Sequence, residues 1–216
     1  MYDPPREDGA LAIEVRVFSD YICPFCYIGK GLLDMLAESY DLTVTWLGYE
    51  LHPETPTQGL PMAEHFPGQD TTKMYDAIIA RGAELGLHIK PAELLSNSRL
   101  ALEAAEYARD AGVFDAFHAE VFRLYFGQGL DLGRFRVLRQ AAESCGLDIA
   151  VLRSGLENKL YANRLSAARE QAQRHELTGL PTFIVNNRYK IVGAQPLQTF
   201  QDLFDKLSGN GAEEGD

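Results

Sequence analysis

Two cysteines flank Pro24 and Phe25 in the run Cys23-Pro-Phe-Cys26, and no other residues of this chain are so well placed for chemistry. The residues before them, Ile13 to Phe18, alternate apolar with charged and are rich in β-branched types, the pattern of a half-buried strand. Ser19, Asp20 and Tyr21 lead out of it. From Pro24 onward Phe25, Ile28, Leu32, Leu33, Met35 and Leu36 recur near helical spacing, which places Cys23 at a helix N-cap and Pro24 at the first helical position. A thiolate there faces unpaired backbone N–H groups and the positive end of the helix dipole, which lowers a cysteine's pKa. Cys26, one turn deeper, is then the shielded partner. The implied chemistry is attack or release through a mixed disulfide at Cys23, followed by intramolecular resolution by Cys26.

Two blander readings share this spacing. Half of a structural zinc site is also CxxC, but it needs a second ligand pair, and the chain offers only Cys145 and five scattered histidines. No metal is therefore expected. An inert buried pair remains open, although the proline between the thiols and the strand-to-helix junction both favour redox work. Cys145 falls on the apolar face of a helix end and reads as a small core residue.

At 216 residues the chain is long for a minimal thioredoxin-like unit and short for two independent domains, so one core with an insertion is expected. An apolar content of 46% supplies that core without staples. The segment from Met1 to Ala10 carries two prolines and several charges in place of a basic start and an apolar run, so neither a secretory signal nor an anchor is expected. No later stretch approaches membrane-spanning length. A cytoplasmic location follows as an expectation, and there a thiol pair is more often catalytic than structural. The net charge of −11 argues against a nucleic-acid surface, which needs clustered Lys and Arg.

A second strand is read over Leu42 to Leu51, parallel to the first through a right-handed βαβ crossover. His52 to Pro61 is turn-rich. From Thr71 to Glu176 the pattern is helical almost throughout, room for about four to six helices, with Ser96-Asn97 capping the one from Arg99 to Ala111, Asp131 opening another region and Asp148 capping a third. Strand periodicity returns over Pro181 to Asn186 and Tyr189 to Gly193, a hairpin turning at Asn187-Arg188, and Gln195 to Leu207 closes as an amphipathic helix. The fold class is α/β: a thioredoxin-like fold in residues 12–60 and 177–208, a large all-helical insertion in 61–176, and an acidic, glycine-rich tail in 209–216 read as disordered.

Beyond the CxxC, several segments stand in the order of a known family. The chain resembles the DsbA-like thioredoxin superfamily and, more closely, its FrnE-like cytoplasmic branch. DYICPFCYIGK, Asp20 to Lys30, looks like that branch's active-site signature; Tyr49 to Pro53, Asn97-Ser98, Thr178 to Phe183 and Gly193 to Pro196 resemble its later motifs. Phe25 stands where the branch often has Trp, a change that bears on redox potential, and His52 where relatives often have Asn. The resemblance implies that Leu180-Pro181 is a cis peptide facing the thiols, with Leu180 offering backbone groups to a bound peptide and Pro24 and Phe25 bordering the substrate. Asp20, Glu50 and His175 are candidates for tuning thiol protonation.

The expected activity is thiol-disulfide oxidoreduction on protein or small-molecule substrates, with no bound cofactor and glutathione as a possible co-substrate. Oligomeric state is open. Two other readings stand beside it. Relatives on this fold include kappa-class glutathione transferases and 2-hydroxychromene-2-carboxylate isomerases, which use glutathione but typically present Ser at the first active-site position. A redox-switched, peptide-binding chaperone is the other.

Overall fold

A computed structural model describes residues 12–209. Strand β1 (Ile13–Ser19) leads through Cys23 into α1 (Pro24–Leu36), and β2 (Leu42–Gly48) returns parallel to β1 with Ile13 opposite Leu42 and Ser19 opposite Gly48. The chain then leaves the sheet. A two-residue bridge joins β3 (Leu60–Pro61) to β4 (Leu94–Leu95), enclosing the single-turn α2 (Met62–His65) and α3 (Thr71–Glu84). Next come α4 (Arg99–Asp110), α5 (Phe114–Phe122) running into a π-helical turn (Arg123–Gly127), α6 (Phe135–Ser144), α7 (Ile149–Glu157) and α8 (Ala162–Arg174). The hairpin β5 (Thr182–Val185) and β6 (Tyr189–Val192) and the final α9 (Leu197–Leu207) complete the fold. The four-stranded sheet has the order β2-β1-β5-β6, with β5 antiparallel to β1.

This is the expected thioredoxin-like fold with a helical insertion, and most boundaries agree. Four details differ. The second strand ends at Gly48, not Leu51, because the Leu51 N–H turns away to a side-chain oxygen of Asp20 at 2.7 Å. The residue at the N-cap of α4 is Ser98; Ser96 instead donates to Asp131 at 2.9 Å, and Asn97 donates to the Thr55 carbonyl at 2.6 Å. Asp131 lies in a turn three residues before the cap of α6, accepting from Gly133 N at 3.0 Å. The hairpin turns at Asn186-Asn187, whose φ angles of 47° and 56° are left-handed, one residue before the expected pair. Asp148 caps α7 as expected, accepting from Ala150 N at 2.8 Å and Val151 N at 3.1 Å. The acidic tail falls almost wholly outside the described residues.

Both faces of the sheet are covered. On one, Phe183 of β5 meets Phe200 of α9 edge-on at 4.9 Å and lies under α1. On the other, Arg16 and Phe18 of β1 meet α8 and its cap through Gln171 and His175. The insertion is held to the first half by stacked rings: Tyr27 of α1 lies parallel to Phe122 at 5.0 Å and to Phe126 at 5.7 Å. Along the free edge of β2 an Arg109 guanidinium from α4 donates to the Trp46 carbonyl at 2.7 Å.

Gly29 sets how closely α1 approaches the strand beneath it. A Cβ at this position would stand 3.0 Å from a ring carbon of Phe183 and 3.1 Å from Cγ of Pro181. Gly29→Val is therefore expected to destabilise the fold by about 2 kcal/mol through overpacking, seen as a lower urea midpoint at unchanged slope.

Candidate functional site

The thiols sit where β1 gives way to α1. Cys23 is the N-cap residue, extended at φ −88° and ψ 114°, with Pro24 opening the helix. The Cys26 N–H returns to the Cys23 carbonyl at 3.0 Å, so the first helical turn fixes the two side chains on one side of the junction. Cys23 is 4% exposed and Cys26 not at all.

The loop before β5 closes over them. Leu180-Pro181 is a cis peptide, and the Cys23 thiol points to the Leu180 carbonyl at 3.8 Å. Thr182 Oγ donates to the Gly179 carbonyl at 2.7 Å and the Gly193 N–H to the Pro181 carbonyl at 2.7 Å, which pins the loop from both ends. Phe25, by contrast, is 43% exposed and offers an apolar ring next to the buried sulfur.

The Cys26 thiol is pushed far above its ordinary pKa. Burial is the main cause, reinforced by its hydrogen bond to Cys23 and by the charge Cys23 would carry; the backbone N–H of Asp20 and the Ser19 hydroxyl act weakly the other way. Ser19 Oγ nevertheless has no partner in hydrogen-bond geometry, so the hydroxyl lies beside the sulfur without bonding to it.

Asp20 is wholly buried, and burial pushes its carboxyl up to about 6 against hydrogen bonds from Leu51, Ser98 and Ile22 that favour the charged form. Its carboxylate accepts from Leu51 N at 2.7 Å and Ile22 N at 3.4 Å. Asp20 thus fastens the loop after β2 and the start of α4 to the thiol junction. Its backbone N–H also bears on Cys26.

Glu50 lies one step further out. It pairs with Arg99 at 3.1 Å, the guanidinium that also holds buried Glu103 at 2.9 Å, and it acts on Asp20 by charge. His175 is not brought to the thiols. It ends α8 against Phe18, and burial with the charges of Arg16, Arg174 and Lys190 lowers its pKa, all on the face of the sheet that α8 covers.

Three groups around the thiols were not anticipated. Tyr75 of α3 is buried beside Cys23, its ionisation opposed by burial and then by Cys23. Tyr21 and His118 share a hydrogen bond at 2.9 Å inside the aromatic seam. Each looks like an ordinary core residue in the sequence; Tyr21 adjoins the motif, and the packing of the insertion brings Tyr75 to Cys23 and His118 to Tyr21. Among the described residues no three His, Cys, Asp or Glu side chains gather into a metal-holding group, and no helix is long and apolar enough to cross a membrane.

Comparison with known proteins agrees with this geometry. A family model described as a DSBA-like thioredoxin domain matches residues 14–205. A curated relative, the uncharacterized protein YwbO of Bacillus subtilis, is 28% identical over 202 residues, 91% of this chain and 96% of that one. Among solved structures, the probable DsbA oxidoreductase SCO1869 of Streptomyces coelicolor superposes with a TM-score of 0.84 at 22% identity, covering 94% of this chain and 93% of that one. A 2-hydroxychromene-2-carboxylate isomerase superposes at 0.74 and 17% identity, covering 94% and 100%. At these identities the superpositions establish the shared fold.

The raised carboxyl of Asp20 predicts a pH signature in stability. Its folded pKa of about 6 exceeds the 3.8 of an ordinary aspartate, so the folded state binds this proton more tightly than the unfolded chain does. This group's contribution is thus most favourable below pH 3.8 and is lost as the pH rises through about 6, a change of about 3 kcal/mol. Urea unfolding of the wild type and Asp20→Asn at several pH values should show their stability difference moving against the wild type across this window and levelling off above it. A difference that is flat with pH would show that the carboxyl is not perturbed.

Proposed function

We propose that this chain, which belongs to the DSBA-like thioredoxin domain family, is a thiol-disulfide oxidoreductase that exchanges disulfides with protein or small-molecule thiols through Cys23 and Cys26. The observation that carries the reading is the junction itself: a cysteine at a helix N-cap, a second cysteine buried one turn in, and a cis-proline loop whose Leu180 carbonyl faces the first sulfur.

In this reading the Cys23 thiolate attacks a substrate disulfide, forms the mixed disulfide and expels one substrate thiolate. Cys26 then loses its proton and attacks Cys23 Sγ; the second substrate sulfur leaves with the electron pair, and the internal disulfide remains. The reverse sequence transfers the disulfide to a dithiol. Leu180 and Pro181 border the substrate on one side, and the exposed ring of Phe25 on the other. Burial of Cys26 keeps its thiol protonated until Cys23 is engaged, which separates capture from resolution. The motif segments that resemble the FrnE-like branch support placing the chain there. A low cysteine count supports a reducing compartment, where such a pair works transiently. Glutathione is a suitable co-substrate in this scheme.

The likeness in fold to a 2-hydroxychromene-2-carboxylate isomerase supports a second reading, glutathione-dependent isomerase or transferase chemistry. The two readings diverge on the second thiol, which disulfide exchange requires and isomerisation does not.

Equilibrating the protein in glutathione buffers over a wide ratio, followed by thiol alkylation and mass spectrometry, tests the proposal. The expected result is one reversible two-electron transition between dithiol and internal disulfide, a lasting glutathione adduct on Cys23 in Cys26→Ser, and neither species in Cys23→Ser. An adduct that persists in the wild type, with no internal disulfide at any ratio, would transfer the assignment to the isomerase or transferase class.

A further inference from the structure

Away from the thiols, toward the tip of the β5-β6 hairpin, the sheet gathers positive charge. Arg16 of β1 stands opposite Ile184 of β5, and Ile184 opposite Lys190 of β6, so one row across three strands sets a cation on either side of a buried isoleucine. Residues directly opposite share a face of the sheet. The face is the one α8 covers, since Arg16 meets Gln171 of that helix at 3.5 Å. Helix α8 stops at Arg174, and between its end and the hairpin lies a concavity of about 210 Å³ lined by Arg174, His175, Ile184, Arg188 and Lys190, with Glu176 as its one acid.

Elsewhere many guanidiniums of this acidic chain are matched: Arg99 meets Glu50 and Glu103, Arg109 meets Glu106, and Arg164 meets Asp110. Among the described residues none of Arg16, Arg174, Arg188 and Lys190 has a carboxylate within ion-pair distance. Lys190 is anchored all the same. Its ammonium donates to the His175 carbonyl at 3.1 Å and the Glu176 carbonyl at 3.5 Å, at the helix end whose dipole favours a cation. That end offsets part of one positive charge and leaves the guanidiniums without a counter-charge. Arg188 is set over the Tyr189 ring at 5.3 Å. The resulting field is felt by His175, which burial first, and then Arg16, Arg174 and Lys190, hold below the ordinary histidine pKa.

We propose that this concavity binds a small phosphate-bearing anion, held by Arg174, Arg188 and Lys190 with Arg16 behind them. Three observations select that class. Several cations around one opening call for a ligand of about two negative charges, which a phosphate monoester carries at neutral pH and a single carboxylate does not. Guanidinium forks match phosphate oxygens in paired hydrogen bonds, and an ammonium adds a point charge. The volume falls below the roughly 300–1,000 Å³ of sites for drug-sized ligands, so the ligand is small, and the apolar floor at Ile184 suits a short organic body. Glu176, alone among the lining residues, opposes an anion. Neither Cys23 nor Cys26 lines this space, and the inference does not rest on the oxidoreductase reading.

The test is an NMR titration of the full-length reduced protein, at constant ionic strength, with inorganic phosphate, glycerol phosphate, acetate and chloride, followed on backbone amides and the His175 ring. Saturating shifts confined to residues 174–176 and 187–190 are expected with the two phosphates and not with acetate or chloride. The His175 pKa should rise on binding, because a bound dianion offsets the cations that depress it. Arg188→Gln and Arg174→Gln should each weaken binding about tenfold, and Glu176→Gln should tighten it about threefold. All three should leave the dithiol-disulfide equilibrium in glutathione buffers where it stands in the wild type. Tighter binding of glycerol phosphate than of phosphate assigns a phosphate ester as the ligand, and equal binding assigns free phosphate. Shifts of equal size with every anion, binding undiminished in both arginine variants, or an unmoved His175 pKa would each overturn the site. Failure of the oxidoreductase reading would appear in the glutathione equilibrium alone and would leave this titration unchanged.

Discussion

The contact between α1 and the cis-proline loop is the constraint on which the rest of this protein turns. Helix α1 carries both thiols, and the loop carries the carbonyl that faces the first of them. They meet because Gly29 presents no side chain where Pro181 and Phe183 press closest. Phe183 is itself wedged between α1 and Phe200, so the distance from Cys23 to Leu180 is set by core packing as well as by the loop. A close-packed interior does not deform continuously, and a site built on it inherits that stiffness. The geometry of the thiol site is thus a property of the core.

The second organising feature is the unequal burial of the two sulfurs' surroundings. Phe25 reaches solvent beside Cys23, whereas Cys26, one turn into α1, is wholly buried. Desolvation therefore acts on the second thiol, and charge in that space is costly until a reaction partner removes the need for it. The helical insertion contributes to the packing here: Phe122 and His118 close on Tyr21, two residues before Cys23. An insertion that looks in the sequence like an added module is in the structure one wall of the site.

How much of this could be read from the sequence depended on the range of the interaction. The thiols at the strand-to-helix junction, the parallel βαβ unit and the hairpin follow from periodicity and local turn chemistry, and they stand where expected save for the hairpin's turn, which comes one residue early. The strand end at Gly48 and the capping residue Ser98 did not, because Leu51 and Ser98 are drawn to a buried carboxylate that no local pattern announces. His175 was chosen for its residue type, yet chain topology puts it on the face that α8 covers. A serine at a strand end and a histidine on an apolar helix face are ordinary in one dimension, and the unpartnered Ser19 Oγ and His118 Nε2 emerge only from the packing.

The guanidinium laid along β2 has a bearing on how the molecule lives among its neighbours. An open sheet has two borders, and each is a template for another chain's backbone. Here one border has its Trp46 carbonyl taken by Arg109, and the other is a four-residue strand whose Lys190 ammonium is tethered to the His175 carbonyl at 3.1 Å. Each border thus carries a cation that engages or flanks its backbone groups. Basic side chains set on exposed strand edges are one of the ways in which proteins blunt the tendency of a sheet to add another chain.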